Sequence, residues 1–310
     1  MYILSCERED KGGGIYRCTA DGRGSLQVLE RFPCDRPMYG IRAGGRLHIL
    51  LRAPFRNSEN SGYFSCKEDF TDATACKDTL GKVACHLCAA GNDIYIVNYL
   101  SGNIVKNCER AVAHCGYGPN VSRQEAPHTH CVVPSPDGAY ILCTDLGTDS
   151  LYVYDRKLGL VCRAKVPDGF GIRHILFSAD GTRIYAVNEL VPSVSMFAWE
   201  KDGARYIDTV RLTEREGATG AAIRLSEDEK YLFVSVRGEN RIYVCDAQSG
   251  KVLRSADCGG DGPRDFNFFE DGHLVCCNEK NDLVTVFPFE DGHMRGKSGA
   301  FSLPAPLCVF

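Results

Sequence analysis

Short apolar runs separated by polar turns recur along the whole chain, and no stretch of useful length carries the 3.6-residue apolar spacing of an amphipathic helix. Five segments share one arrangement, an apolar strand, a polar turn and a second apolar strand: IYIVNYLSGNIV, ILCTDLGTDSLYVY, IYAVNELVPSVSMF, LFVSVRGENRIYVC and LVCCNEKNDLVTVF. Aligned, they put Asn98, Asp145, Asn188, Val236 and Asn278 at one position, with Ile104, Leu151, Val194, Ile242 and Val284 six residues later. The spacings of 47, 43, 48 and 42 residues average 45, and stepping back from Asn98 reaches LHILL (47–51) and YILSC (2–6). Seven units therefore fit in 310 residues. One of them shows four strands in order: THCVVPS, a PDG turn, YILCTDL, a GTD turn, SLYVYD, a Gly-bearing turn and LVCRAKV. Four-stranded units repeated at this period predict an all-β, seven-bladed propeller over 1–310 as a single domain. The first unit begins at its second strand, so the terminal segment PLCVF is expected to supply the missing innermost strand and close the ring.

Composition narrows the function more than the fold. The chain is 44% hydrophobic and 25% charged, as expected of a globular protein with a sizeable core. A formal net charge of −4 argues against a nucleic-acid partner, which would leave a basic footprint. No apolar run approaches the ~20 residues of a membrane helix. The amino terminus, MYILSCERED, turns polar too soon for a secretory signal, so a cytoplasmic protein is expected. The 17 cysteines are an odd number, and many, such as Cys131, Cys143, Cys245 and Cys276, fall in apolar slots of strands. Reduced, buried thiols are expected rather than a disulfide framework. Cys85 and Cys88 form one C-x-x-C around His86, but no second pair at matching spacing accompanies them, so no metal and no cofactor are expected.

Propeller topology then locates a candidate site. Innermost strands start at one face of the disk, and the turn joining second and third strands returns to that face. His130, Arg173 and Arg264 begin innermost strands, each eight residues before a turn glycine, with His128 and His86 close by. Asn98, Tyr99, Asp145, Asp149, Asn188, Glu189, Arg237, Asn278 and Glu279 belong to the turns. His130, Arg173, Glu189, Arg237 and Arg264 are expected to face one cavity at the mouth of the channel, away from the PDG turns. The recurring Asn residues are read mainly as backbone holders, and Asp145 and Asp149 as turn caps.

The segment from Gly116 to Asp155 resembles the propeller-type lactonases, which include bacterial 6-phosphogluconolactonases and fungal carboxymuconate-lactonizing enzymes. The marks are Arg123-Gln124, PHTH (127–130) and DLGTD (145–149), followed by GIRHILF (171–177), NEL (188–190), VRG (236–238) and GPRDF (262–266), with NY-x-SG (98–102) before them. The resemblance runs from about residue 84 to the carboxyl terminus and fades over the first two units, where LLRA (50–53) stands in place of a polar turn. It implies a catalytic set of a histidine, a glutamate and two arginines, which carries over as Glu189, Arg173 and Arg237, with His130 favoured over His128. Arg264, His128, His86, Asn98 and Asp145 are the candidates for holding substrate.

Lactone hydrolysis needs a base for water, donors for the oxyanion and an acid for the departing alkoxide. Glu189 or His130 suits the base, and guanidinium forks suit a phosphate or carboxylate on the substrate. The resemblance implies hydrolysis of 6-phospho-D-glucono-1,5-lactone, a small anionic lactone, in the pentose phosphate pathway, and a monomer is expected. A carboxymuconate-type cycloisomerase, or a non-catalytic propeller binding an anion or a protein, is the alternative.

Overall fold

The computed structural model describes residues 1–20, 25–201, 203–269, 272–290 and 293–310. Among them the strands form seven antiparallel sheets, taken here as blades one to seven. Blade four runs Thr129–Pro134, Tyr140–Asp145, Ser150–Asp155 and Leu160–Lys165 from the axis outward. The other innermost strands are Pro37–Ala43, Ala84–Ala90, Ile172–Phe177, Thr219–Leu225 and Pro263–Phe269 in blades two, three, five, six and seven. Blade one takes its innermost strand from the carboxyl terminus: Pro306–Val309 lies antiparallel to Tyr2–Ser5, with Leu4 opposite Cys308. In blade seven, Leu283–Glu290 carries both His293–Met294 and Gly299–Ser302 on its outer side.

The apolar runs are continuous rather than alternating because each second strand is covered on both faces by neighbouring blades. Tyr140–Asp145 is buried at five consecutive positions, whereas the outermost strand Leu26–Pro33 is largely exposed. The core is accordingly a ring of hydrophobic clusters, one at each interface between blades. Cys131, Leu142 and Leu151 of blade four meet Ile172, Ile184 and Phe197 of blade five, and Ile3, Cys18 and Val309 of blade one meet Val275, Cys277 and Val284 of blade seven. All 17 cysteines are free, and most of them fill such apolar positions. No helix of the described residues is long and apolar enough to cross a membrane.

The turns between first and second strands, on the face away from the site, share a side-chain lock. Ser135 Oγ donates to Asp137 Oδ1, which also accepts from the Ala139 amide, and Gly138 takes φ 67°. Ser178 with Asp180 and Ser226 with Asp228 repeat the contact in blades five and six.

Candidate active site

Two registers of the repeat feed one mouth of the channel. The first is a β-bulge near the start of the innermost strand. Met38, Cys85, His130, Arg173, Arg264 and Leu307 each fall between two paired neighbours and have no partner on the adjacent strand. A bulged residue is released from the ladder and its side chain is re-aimed, here into the channel. The second register is the position following the repeat Asn: Cys6, Arg52, Tyr99, Leu146, Glu189, Arg237 and Glu279. Six of these seven line a cavity of about 450 Å³, together with five of the six bulged residues. Leu146 is the exception; it is sealed beneath Gln124, whose Nε2 donates to the Leu146 carbonyl at 2.8 Å. At that gap the loop preceding blade four brings in Arg123 instead.

Glu189 is the hub. Its Oε1 accepts from Arg123 Nη2 at 2.6 Å, and its Oε2 accepts from Arg173 Nε at 2.8 Å and lies 3.1 Å from Arg237 Nη2. His130 Nε2 stands 3.9 Å from the same Oε2. Burial alone would push this carboxyl up, but the Arg237, Arg173 and Arg123 charges outweigh it and hold Glu189 well below the usual carboxylate range. His130 shifts the same way for a different reason: burial, then the Arg173 charge, hold its imidazole neutral well below the ordinary histidine value. Two buried donor or acceptor atoms beside the cavity lack a hydrogen-bond partner among the described residues, His130 Nδ1 and Arg237 Nε. Such atoms are costly to bury unless a ligand or water engages them.

Arg173 is enclosed rather than exposed to the main cavity. Its side chain is 2% exposed, it donates to Glu189 and to the Ala221 carbonyl at 2.6 Å, and it lines only a narrow cavity of about 20 Å³ deeper in the channel. Burial brings its guanidinium down to about 10, so it remains a cation at neutral pH. It meets the main cavity only through its contact with Glu189, whereas it was expected to face that cavity directly. Four guanidiniums (Arg52, Arg123, Arg237 and Arg264) and two carboxylates (Glu189 and Glu279) line the main cavity, and Arg173 and Asp265 line the narrow one below it. The main cavity therefore carries an excess of positive charge.

Four residues expected to hold substrate lie elsewhere. Asn98 is fully buried; its Nδ2 donates to the Thr79 carbonyl and Asn103 Oδ1, and its Oδ1 accepts from Thr79 Oγ1. Gly81 is required opposite it, since a Cβ there would sit 2.6 Å from Asn98 Nδ2. Asp145 is equally enclosed, with Oδ2 2.7 Å from His114 Nδ1 and Oδ1 accepting from the His128 amide. His128 backs Tyr99 by stacking at 4.5 Å instead of reaching the cavity, with Nε2 3.1 Å from Glu125. His86 sits deeper, stacked on Tyr39 at 4.2 Å, and burial with the Arg224 and Arg173 charges brings it down to about 3. Arg264 does line the cavity, with Nη1 donating to Glu279 Oε2 at 3.1 Å. The residues missed as site members were Arg123, Arg52 and Cys6. Arg123 stood in the Arg-Gln mark, and the other two follow from reading the repeat register one place past Leu51 and Ser5.

Among the described residues no group of three or more His, Cys, Asp or Glu is arranged to hold a metal ion. Fold and site together define a propeller with a guanidinium-rich pocket at one mouth of its channel. The family model for the seven-bladed β-propeller lactonases matches residues 1–310, and the chain belongs to that family. An uncharacterised protein of Staphylococcus epidermidis is 30% identical over 329 aligned positions, covering 96% of this chain and 94% of that one. Another, from Staphylococcus saprophyticus, is 34% identical over 231 residues, 70% of this chain and 66% of the relative. Two solved structures share the fold: a candidate 6-phosphogluconolactonase of Bacteroides fragilis (TM-score 0.86, 24% identity, 99% and 96% of the two chains) and a periplasmic gluconolactonase of Pseudomonas aeruginosa (TM-score 0.87, 24% identity, 99% and 97%).

Proposed function

We propose that the protein hydrolyses a sugar lactone bearing an anionic group, with 6-phospho-D-glucono-1,5-lactone as the specific substrate. The observation that carries this reading is the neutral His130 imidazole beside a carboxylate clamped by three guanidiniums, inside a cavity with an excess of positive charge. Membership of the lactonase family and the names of the two structural neighbours support it.

Geometry favours His130 over Glu189 as the base. Both oxygens of Glu189 are already engaged by Arg123, Arg173 and Arg237, whereas His130 Nδ1 has no hydrogen-bond partner among the described residues, and Glu189 stands 3.9 Å from Nε2 to steady the imidazolium. Water, deprotonated by His130, attacks the lactone carbonyl carbon. The developing oxyanion is met by guanidinium donors, for which Arg237 Nε is unengaged. Collapse breaks the bond from carbonyl carbon to ring oxygen, and the proton on His130 passes to the departing alkoxide, giving the hydroxy acid with the base restored.

The test is hydrolysis of 6-phosphogluconolactone in a coupled assay, corrected for the spontaneous rate. Turnover that scales with enzyme and disappears in His130→Asn is expected; a rate no greater than the spontaneous one would overturn the reading.

A further inference from the structure

The register that places Glu189 and Arg237 also places Arg52, at the second-to-third strand turn of blade two, where the LLRA sequence departs from the polar turns of the other blades. Arg52 is exposed on the cavity rim, and no hydrogen bond or ion pair of its side chain occurs among the described residues. The order of the ring fixes its neighbours. Passing from blade two through blade one to blade seven, the cavity wall is Arg52, then Cys6, then Arg264 with Glu279. Cys6 lies within electrostatic reach of both guanidiniums, and its thiol donates to Met38 Sδ at 3.4 Å. His130 and Glu189 belong to blades four and five, on the opposite arc of the same mouth.

The wall is therefore divided. One arc holds the neutral imidazole and the clamped carboxylate. The other holds two cations, one without a side-chain partner among the described residues and one sharing a single nitrogen with Glu279. Burial pushes the Cys6 thiol between them up to about 12, so it brings no negative charge to compete with an anion there. A neutral sugar hydroxyl gives an unpaired guanidinium little to bind. A phosphate monoester, with about −1.5 to −2 charges at pH 7 and three acceptor oxygens, matches two forks on one arc.

We infer that the arc formed by Arg52, Cys6 and Arg264 is the subsite for a terminal phosphate of the substrate, and that Arg52 is the residue that sets preference for phosphorylated over unphosphorylated lactones. The inference rests on the lactone reading above, and it names the part of the cavity that reads the end of the molecule remote from the carbonyl. A ligand spanning the mouth would put its phosphate against blades seven, one and two while the lactone carbonyl meets His130. The cavity of about 450 Å³ falls within the usual range for a site of this kind.

The test separates binding from turnover by using the two product acids, 6-phosphogluconate and gluconate, as probes in titration calorimetry. The wild-type protein should bind 6-phosphogluconate at least tenfold more tightly than gluconate. Arg52→Gln should bring the two affinities within about threefold, and Arg52→Lys, which keeps the charge and loses the fork, should fall between. The ratio of kcat/KM for the two lactones should move in parallel. Equal affinity for the two acids in the wild type, or a preference unchanged in Arg52→Gln, would overturn the subsite. Preferential binding of 6-phosphogluconate without hydrolysis of either lactone would leave the subsite standing and remove the lactonase reading instead.

Discussion

Arg123 Nη2 lies 2.6 Å from Glu189 Oε1, although 66 residues separate the two along the chain. The contact closes the cavity where blade four's own turn fails to reach it, and it depends on a chain of anchors behind the loop. Gln124 is fully buried against the Leu146 carbonyl, and His114 bridges Asp145 Oδ2, 2.7 Å from its Nδ1, and the Tyr154 hydroxyl, 2.8 Å from its Nε2. Asp145 thus builds the site without entering it.

The two arginines on opposite sides of Glu189 should respond differently to removal. Arg123 is 38% exposed at its side chain, so Arg123→Ala should cost only about 0.5–1 kcal/mol of stability after solvent screening. Arg173 is enclosed, and Arg173→Ala leaves part of the buried Glu189 charge uncompensated, at a cost of about 3–5 kcal/mol. Urea denaturation at neutral pH measures both, and equal losses would show that Arg173 is not the buried anchor described.

Acid should weaken the fold before it neutralises any carboxylate at the site. Burial, reinforced by nearby arginines, holds His86, His130 and His174 below their ordinary value in the folded protein. Unfolded, each titrates near pH 6.5. Below that pH the unfolded chain binds more protons than the folded one, so stability falls as pH falls. Each histidine contributes a slope of up to about 1.4 kcal/mol per pH unit, approaching about 4 for all three. Glu189 is depressed in the folded state, so its contribution stays complete above about pH 4.5 and is lost only as pH falls through its folded value. Urea unfolding at pH 7, 6 and 5 should show the decline, and His86→Gln should remove about one proton from it. Constant stability over that range would mean these imidazoles are hydrated in the folded protein.

The period was legible because every blade repeats the same burial problem, so Asn98, Asp145, Asn188 and Asn278 recur where a turn must be held from within. The same repetition hid the site. Residues that solve a shared backbone problem and residues that face the channel stand one position apart, and only their side-chain directions separate Asn188 from Glu189. The bulge is invisible as a pattern of polarity, since Met38, Cys85 and Leu307 occupy the same slot as His130 and Arg264. Arg123 was beyond topology altogether, because it arrives from an irregular loop whose path is set by the Gln124 contact.

Ring closure predicts a large effect from a small deletion. Removing 306–310 strips Tyr2–Ser5 of its ladder partner, including the reciprocal amide bonds between Tyr2 and Phe310 at 2.8 and 3.0 Å. It also exposes the pocket left by the buried Leu307, Cys308 and Val309, where each large apolar side chain accounts for about 1.5–3 kcal/mol. The truncated protein should lose several kcal/mol of stability and aggregate through the open edge. Wild-type unfolding and a monomeric elution profile for the truncated chain would show that the ring does not need its clasp.

Kinetics of two conservative variants should distinguish the base from its orienting carboxylate. His130→Asn keeps polarity and removes the proton acceptor, so kcat should fall by about 10²–10⁴ with KM little changed. Glu189→Gln keeps shape but releases three guanidiniums from their shared counter-charge, so it should lower kcat and destabilise the fold together. The pH profile supplies the second criterion. With His130 neutral well below its ordinary value, kcat corrected for spontaneous hydrolysis should stay level between pH 5.5 and 8, where an imidazole at the ordinary value would show an inflection near 6.5. An inflection there would mean that substrate binding restores solvent or charge around His130. Full turnover in His130→Asn, with loss confined to Glu189→Gln, would transfer the base to Glu189 and require the substrate to draw Arg123 away from it first.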